Sequence, residues 1–374
     1  MYKQKKIWQL VGLVLILAFL LAACGGTQAP VEEPAAEEPQ AEEVVEEEPA
    51  AEAEVEEEAA AEPIPLRMCI LLAVGLDQGW DRSFYESYNR IVESQPVPGV
   101  VLQDWKAVEG LWGDEAEAAM REFAQSGECD IIWPHGGYND NVDNIKADFP
   151  DVMFVEVGSG VLSSGGNDYH FWLRCHEASY AMGVLAGNLS ETNVFGGVGT
   201  YPASDVNDSL NSFYDGAASV KGDIVKKVAF INSWYDPAAA NEAAAAQIAA
   251  GAEQIDMYAE TFDTCAEAGI YCYGAYTDYS EYYPSTAIAS FVVKWDTAIM
   301  WAMEEWLKAQ DVGFDAPESP TFTMSLDGSC DVKLSDTLIG DIPPDALDAF
   351  NATRDAILDG SLIVEFNDAL PESD

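Results

Sequence analysis

The chain has 374 residues, of which 66 are acidic and 17 are basic, and its formal net charge at pH 7 is −49. This charge excludes nucleic acids and anionic lipid surfaces as electrostatic partners, because both are bound through clusters of Lys and Arg. The part of the chain with folded character, roughly 310 residues, is long enough for two domains.

The first 24 residues have the pattern of a lipoprotein signal peptide. Three lysines precede an apolar run from Leu10 to Leu21, which is short for a membrane span. The run ends in Leu-Ala-Ala-Cys24-Gly, which resembles the bacterial lipobox. We expect cleavage to leave Cys24 lipidated, so that the lipid anchor alone holds the protein at the extracytoplasmic face of the cell membrane. The alternative is an ordinary secretory signal with a chance cysteine.

Residues 25–65 consist almost only of Glu, Ala, Pro and Val. No periodic apolar face is present, so burial cannot offset the chain entropy and we expect this segment to be disordered. Its Glu clusters repel one another, which favours an extended tether that lifts the folded part off the lipid surface. A specific acidic binding tail is the alternative.

Six cysteines remain beside Cys24, an even number in a compartment where disulfides can form. None of them forms a CxxC pair, so a zinc site is not expected. Cys69 and Cys129 each begin a predicted strand that could lie beside the other, and Cys265 and Cys272 are close in sequence. These two pairings are therefore favoured, with unpaired buried thiols as the alternative.

The stretch from Met68 to Val74 is a continuous apolar run of strand length, typical of a strand buried on both faces of a parallel sheet. Glycines at 75 and 79 interrupt the pattern, and Asp81 is predicted to cap a helix that begins with Ser83. The carboxyl edge of such a sheet is where open α/β proteins bind their ligands.

Strand-like and helical patterns alternate through the rest of the chain, in one series before His176 and a second series after it. This alternation predicts doubly wound parallel sheets in two similar lobes. The predicted strands are 99–103, 130–133, 152–157, 193–198, 227–231 and two more near 255 and 270–273, and the predicted helices are 115–126, 141–149, 178–189, 208–220 and 237–248.

Several motifs resemble, in sequence order, those of one known family. They are the segments 79–84, 150–154, 176–186, 233–237 and 289–295. They are similar to motifs of the basic membrane lipoprotein family, the substrate-binding proteins of ABC importers that include purine nucleoside receptors. The resemblance runs from about Cys69 to Lys308. It implies a type I periplasmic-binding-protein fold, in which two α/β lobes joined by a three-stranded hinge close on a ligand.

The usual topology of that fold implies where the chain crosses between the lobes. The expected crossings lie near Trp172, Thr286 and Phe322. Lobe 1 would then comprise residues 66–172 and 286–322, and lobe 2 would comprise residues 173–285 and 323–374.

Aromatic residues and acids follow the predicted strands, which suits a purine-like ligand. Aromatic rings offer flat apolar faces to the base, and carboxylates accept its N–H groups or ribose hydroxyls. After the first strand these residues are Trp80, Asp81, Ser83 and Phe84. In the family the Phe of a Ser-Phe motif stacks on the base, and Phe84 is the matching position. The alternative is a helix residue packed on the core.

The next two strands of the first series are also followed by candidates. Glu109 could accept a base N–H, or it could be a solvated loop acid. Gly136, Gly137 and Tyr138 follow the third strand. Glycines at that point allow backbone N–H groups to approach a ligand closely.

In the second series Trp234 is predicted to face the cleft, whereas Asp236, which precedes a proline, is predicted to cap a helix. Nucleoside-binding members of the family carry Asp-x-Asp where this chain has Tyr276 and Asp278. This departure leaves nucleoside and free base open as ligands. Lys294 matches a family lysine at the hinge, with a surface ion pair as the alternative.

We therefore predict a lipid-anchored extracytoplasmic solute-binding protein of an ABC importer, which binds a purine nucleoside, a nucleobase or a similar small molecule between its lobes. The expected partners are this ligand and an ABC permease. We expect a monomer without cofactor, metal or enzymatic activity. The alternatives are a lipid-anchored glycoside hydrolase, which the abundant Trp and acids would suit, and a receptor that serves only in sensing.

Overall fold

The computed structural model describes residues 62–158 and 164–374. The predicted signal peptide, Cys24 and nearly all of the predicted tether lie outside the described residues. Within the described ranges no helix combines the length and the apolar character needed to cross a membrane.

The first lobe is built on a six-stranded parallel sheet whose last strand, β13 (Thr321–Phe322), comes from late in the chain; the strand order is β4-β2-β5-β6-β7-β13. Every residue of β2, β5 and β6 is buried, as expected for strands covered on both faces. Strands β1 and β3 form a separate two-stranded parallel sheet. The elements are β1 (Ile64–Leu66), β2 (Met68–Leu72), α1 (Gly79–Ser94), β3 (Val100–Leu102), β4 (Lys106–Glu109), α2 (Asp114–Ser126), β5 (Ile131–His135), α3 (Asn139–Ile145), β6 (Met153–Val157) and β7 (Asp168–Leu173).

The second lobe repeats this plan with the strand order β9-β8-β10-β11-β12-β14, in which only the last pair is antiparallel. Helix α8 contacts α1 and so belongs to the first lobe. The elements are α4 (His176–Leu189), β8 (Val194–Gly199), α5 (Ser204–Lys221), β9 (Val225–Phe230), α6 (Pro237–Ala249), β10 (Gln254–Asp256), α7 (Asp263–Ala268), β11 (Tyr271–Gly274), β12 (Ala287–Val293), α8 (Asp296–Val312), β13 (Thr321–Phe322), β14 (Cys330–Leu334) and α9 (Pro344–Leu358).

Within the described residues the chain passes between the two sheets three times, after β7, between β12 and α8, and between β13 and β14. The second passage lies at 293–296, later than the predicted crossing near Thr286, because β12 pairs with β11 and β14. The sequence could not show which sheet β12 joins, because an apolar run of strand length fits a buried strand of either sheet. The predicted boundary of lobe 1 at residue 286 is therefore corrected to the end of β12.

Two local predictions also need correction. The predicted strand 99–103 forms β3, which pairs with β1, while the edge of the main sheet is β4. Three of the four β4 residues are exposed, so no apolar run marks this strand. The predicted cap Asp81 lies inside α1, which Gln78 caps by accepting a hydrogen bond from the Asp81 N–H. In contrast, Asp236 caps α6 as predicted and accepts from the Ala239 N–H.

Three disulfides join the six described cysteines in pairs. The predicted pairs Cys69–Cys129 and Cys265–Cys272 are confirmed. The third, Cys175–Cys330, was not predicted and closes a sequence separation of 155 residues. It joins the residue before α4 to the first residue of β14, and so links two of the three passages between the lobes.

Glycines let α4 and α5 approach each other closely. A Cβ atom added at Gly183 would lie 2.0 Å from the Phe213 carbonyl oxygen, and one added at Gly216 would lie 2.1 Å from the Tyr180 carbonyl oxygen. Backbone atoms cannot move aside as a flexible side chain can, so only glycine fits at these two positions.

Replacing Gly183 with Ala should therefore force the two helices apart and lower the free energy of unfolding by at least about 1–3 kcal/mol, the usual cost of overpacking. Chemical denaturation of both proteins measures this difference. Gly340→Ala is the matched control, because a Cβ at Gly340 meets no atom within 4 Å. Equal stability of the Gly183 variant and the control would contradict the close helix contact.

A buried acid at the end of β10 makes stability depend on pH. Asp256 is fully buried, and among the described residues neither of its carboxylate oxygens has a hydrogen-bond partner. Burial raises its pKa to about 8. The folded protein thus keeps this proton over a pH range in which the unfolded chain has released it.

Because the folded-state pKa is the higher one, Asp256 should lower stability progressively as pH rises from about 4 to 8, with a slope of roughly 1.4 kcal/mol per pH unit. Asp256→Asn removes this titration. The variant should therefore gain stability relative to the wild type as pH rises. Urea denaturation at pH 5, 6.5 and 8 measures the trend, and parallel curves for the two proteins would rule it out.

Candidate ligand-binding site

A cavity of about 110 Å³ lies between the two lobes, at the carboxyl ends of strands from both sheets. This is the edge at which open α/β sheets bind ligands. From the first lobe the lining residues are Ala73, Val74, Gln78, Trp80, Trp112, Gly136, Gly137 and Gly158. From the second lobe they are Thr200, Ala203, Asp205, Trp234 and Tyr276.

The tryptophans of the first lobe are held rigidly by their own lobe. The Trp80 indole N–H donates to the His135 carbonyl oxygen at 3.1 Å. The Trp112 indole N–H donates to the Ala73 carbonyl oxygen at 3.0 Å, and its ring stacks on Tyr138 with 4.6 Å between centroids. Because both N–H groups are already bonded, these rings can offer a ligand only apolar contact.

The second lobe contributes Trp234 and Tyr276 to the opposite wall. Trp234 makes an edge contact with Tyr201 at 4.8 Å, and Tyr276 makes one with Trp80 at 5.1 Å across the interface between the lobes. The Tyr276 hydroxyl donates to the Tyr258 hydroxyl. The cavity is therefore bounded by aromatic rings from both lobes.

The polar groups of the cavity are few. None of the described lining residues is Lys, Arg or His, and Asp205 in the first turn of α5 is the ionisable acid among them. The Thr200 hydroxyl is buried and has no hydrogen-bond partner among the described residues. An uncharged or cationic molecule with hydrogen-bonding groups fits these walls better than an anion.

The structure brings five of the predicted binding residues to this cavity, Trp80, Gly136, Gly137, Trp234 and Tyr276. The remaining seven lie elsewhere, some in the supporting shell behind the walls and others on the far side of Tyr276.

Phe84 is the main correction. Its side chain is fully buried and does not line the cavity. Its ring lies 4.3 Å from His135, 5.0 Å from Trp133 and 5.8 Å from Trp295, measured between centroids. The structure thus places it in the core, the alternative that the sequence left open, because Phe84 lies on the buried face of α1 together with Tyr88 and Ile91.

Asp81, Ser83 and Tyr138 support the walls from behind. Asp81 is buried and accepts hydrogen bonds from the N–H groups of residues 73, 74 and 75 at 3.2, 2.8 and 2.8 Å. Ser83 donates to the Trp80 carbonyl oxygen and accepts from the Trp295 indole N–H, each at 2.9 Å. Tyr138 donates to the Leu111 carbonyl oxygen at 3.0 Å.

Glu109, Asp278 and Lys294 also lie outside the cavity. Glu109 is exposed at the end of β4, beside Gly75. Asp278 and Lys294 line a more open groove on the other side of Tyr276. Asp278 accepts from the Ser280 N–H at 2.9 Å and so caps the turn that follows it.

Sequence reasoning missed Gln78, Trp112, Thr200 and Asp205. Trp112 follows β4 within three residues, but β4 carries no apolar run that would have marked the strand. Thr200 follows β8 directly and Asp205 opens the next helix, so the rule that ligands meet the carboxyl ends of strands could have found both.

Comparisons with known proteins agree with this architecture. The family model described as ABC transporter substrate-binding protein PnrA-like matches residues 68–319. A purine-binding protein of Brucella abortus is 30% identical over 224 residues, which are 59% of this chain and 62% of that protein. A putative ABC transporter glucose-binding protein of Haloferax volcanii is 25% identical over 261 residues, 62% of this chain and 64% of that protein. The chain thus spans somewhat less than two thirds of the length of these relatives.

A solved structure shows the same fold. The ABC transporter solute-binding protein of Conexibacter woesei matches 80% of this chain and 99% of its own, with a TM-score of 0.61 and 18% identity. The fold is therefore the type I periplasmic-binding-protein fold that the resemblance implied, with two parallel-sheet lobes joined by a three-stranded hinge.

The role of Asp81 can be tested by stability. Asp81→Ala would leave three backbone N–H groups without their acceptor, at a cost of about 1–3 kcal/mol for each buried group. We expect a loss of several kcal/mol in the free energy of unfolding, measured by denaturation. Asp77→Ala, at an exposed position of the same loop, is the control and should change stability little. Equal losses in both variants would exclude this role.

Proposed function

Because this chain belongs to the family of PnrA-like ABC-transporter substrate-binding proteins, we propose that it captures a purine-like heterocycle between its lobes and delivers it to an ABC permease. The observation that carries this proposal is the pair of aromatic walls, Trp80 and Trp112 on one lobe and Trp234 and Tyr276 on the other. Ring faces suit the flat apolar surface of a base. The purine-binding relative from Brucella abortus supports the same ligand class.

Binding would proceed by closure of the two lobes. A ligand that touches both walls interacts with the closed form only, so it shifts the population toward closure. The Thr200 hydroxyl and the Asp205 carboxylate would receive the polar edge of the ligand. With Cys24 lipidated and residues 25–65 as a tether, a monomeric receptor would work at the extracytoplasmic face of the membrane.

A sugar is the second candidate, and the glucose-binding relative from Haloferax volcanii favours it. Glycoside hydrolysis is less well supported, because it requires a pair of carboxyl groups facing the substrate. Asp205 is the one carboxylate among the described residues of the cavity wall. Sensing without transport needs the same binding step.

The proposal is tested first by native mass spectrometry of the purified full chain, followed by release of any bound small molecule. Calorimetry with purine bases, purine nucleosides and monosaccharides then ranks the classes. We expect a base or nucleoside to bind most tightly. Preferential binding of monosaccharides would show that the ligand is a sugar and not a purine. Turnover of a glycoside would overturn the proposal of a binding protein.

Replacing Trp234 or Trp112 with Ala should weaken binding of the preferred ligand by roughly 1–3 kcal/mol for each lost stacking contact, about 5- to 150-fold in dissociation constant. Calorimetry of the two variants measures the effect. Trp301→Ala is the control, because this tryptophan packs on Phe171 in the first lobe, away from the cavity. Unchanged affinity in both cavity variants would contradict the aromatic site.

A further inference from the structure

A carboxylate of the second lobe is bonded to the first lobe beside the cavity. Glu260 follows β10, and its buried side chain reaches the start of α1. Its carboxylate accepts from the Gly79 N–H at 2.6 Å and from the Gln78 side-chain amide. It also accepts from the Tyr279 hydroxyl of its own lobe at 2.5 Å. Burial raises its pKa to about 7.

The site that Glu260 occupies is electrostatically suited to a carboxylate. The first N–H groups of a helix have no partner within the helix, and the helix dipole places positive potential at that end. Arg82 of the same helix lies over the rings of Tyr279 and Tyr282, 5.9 and 5.1 Å from their centroids, and so adds positive charge from the first lobe. Glu260 therefore meets a positive surface of the opposite lobe.

The fit at this contact is tight. A Cβ atom added at Gly79 would lie 2.8 Å from the Tyr279 hydroxyl oxygen and 2.9 Å from Glu260 Oε2. Glu260 itself has a φ of 63°, in the left-handed region that non-glycine residues rarely adopt. Such backbone strain persists where surrounding contacts determine the conformation.

The contact is also connected to the cavity. Gln78 lines the cavity and caps α1 by accepting from the Asp81 N–H at 3.2 Å, while its amide group donates to Glu260. A single side chain of the cavity wall is thus bonded both to its own helix and to the opposite lobe.

We propose that Glu260 is an interlobe latch, whose carboxylate holds the first turn of α1 and so sets how far the lobes favour the closed form. The latch rests on the proposed function in one respect, that the two lobes open and close around a ligand. Its contacts are made between protein groups alone, so it acts before a ligand enters as well as after.

The latch contributes to affinity for any ligand that binds the closed form. The apparent dissociation constant equals the intrinsic value divided by the closed fraction, so a change that lowers this fraction weakens binding by the same factor. Part of the affinity would then depend on Glu260, a residue that does not line the cavity.

Glu260→Gln tests the latch with a nearly isosteric change. Whichever way the new amide is turned, its NH₂ group faces either the Gly79 N–H or the Gln78 amide, both of which are donors. Glu253→Gln is the matched control, since Glu253 accepts from the N–H groups of Glu191 and Thr192 within the second lobe alone.

The measured quantity is the distance between the lobes in the full chain, obtained without ligand at pH 8 by pulsed electron paramagnetic resonance between two spin labels. Labels carried by non-canonical residues replace the exposed Asp140 and Glu242, one on each lobe. We expect Glu260→Gln to shift the distribution to longer distances and Glu253→Gln to leave it at the wild-type position. Gly79→Ala places a methyl group against Glu260 and Tyr279 from the first lobe, so it should also shift the distribution to longer distances.

Affinity supplies a second measurement once a ligand is in hand. Losing charged hydrogen bonds should weaken binding roughly 10- to 100-fold in Glu260→Gln. Wild-type distance distributions in both Glu260→Gln and Gly79→Ala would overturn the latch. Because that distance is measured without ligand, failure to find a purine ligand would defeat the proposed function and leave this result standing.

Discussion

Two buried carboxylates, one from each lobe, hold the junction between β2 and α1. Asp81 gathers the N–H groups of residues 73–75 and fixes the turn within the first lobe. Glu260 bonds the start of α1 from the second lobe. The charged form of each carboxyl group is costly to bury, and burial therefore raises the pKa of Asp81 to about 6 and that of Glu260 to about 7. Their hydrogen bonds offset this cost only while the turn keeps its shape, so the cavity wall built on that turn is held in place.

Around this junction the cavity is formed by rings that are already ordered. Trp80 and Trp112 have their indole N–H groups bonded to backbone carbonyls of the first lobe. A ligand that stacks on them therefore pays little ordering entropy, which is the advantage of a preorganised site. Tyr276 contacts Trp80 from the other lobe, so the aromatic surface is completed when the lobes meet.

The hinge side of the molecule is constrained as well. The Cys175–Cys330 disulfide links two of the three passages between the lobes. Beside it, the Arg174 guanidinium lies between the rings of Trp172 and Phe366, at 4.5 and 4.6 Å from their centroids. Phe366 belongs to the C-terminal segment, which also binds α5 through the side chains of Asn207 and Asn211. The residues beyond Lys308, where the family resemblance ends, thus include β13, β14 and this contact at the hinge.

The sequence by itself determined the alternation of strands and helices, the two-lobed fold and the Asp236 cap, and it favoured the pairs Cys69–Cys129 and Cys265–Cys272. The fold and the cap depend on periodicity and on neighbours in the chain, which a sequence displays directly. Cys69 and Cys129 are 60 residues apart, and each begins a predicted strand, which is why their pairing was favoured. Only the tertiary structure decided that Trp80 rather than Phe84 faces the cavity, that β12 belongs to the second sheet, and that Glu260 meets α1. Each of these depends on contacts between elements that are distant in the chain, and residues 181 positions apart, such as Gly79 and Glu260, leave no periodic trace of their contact.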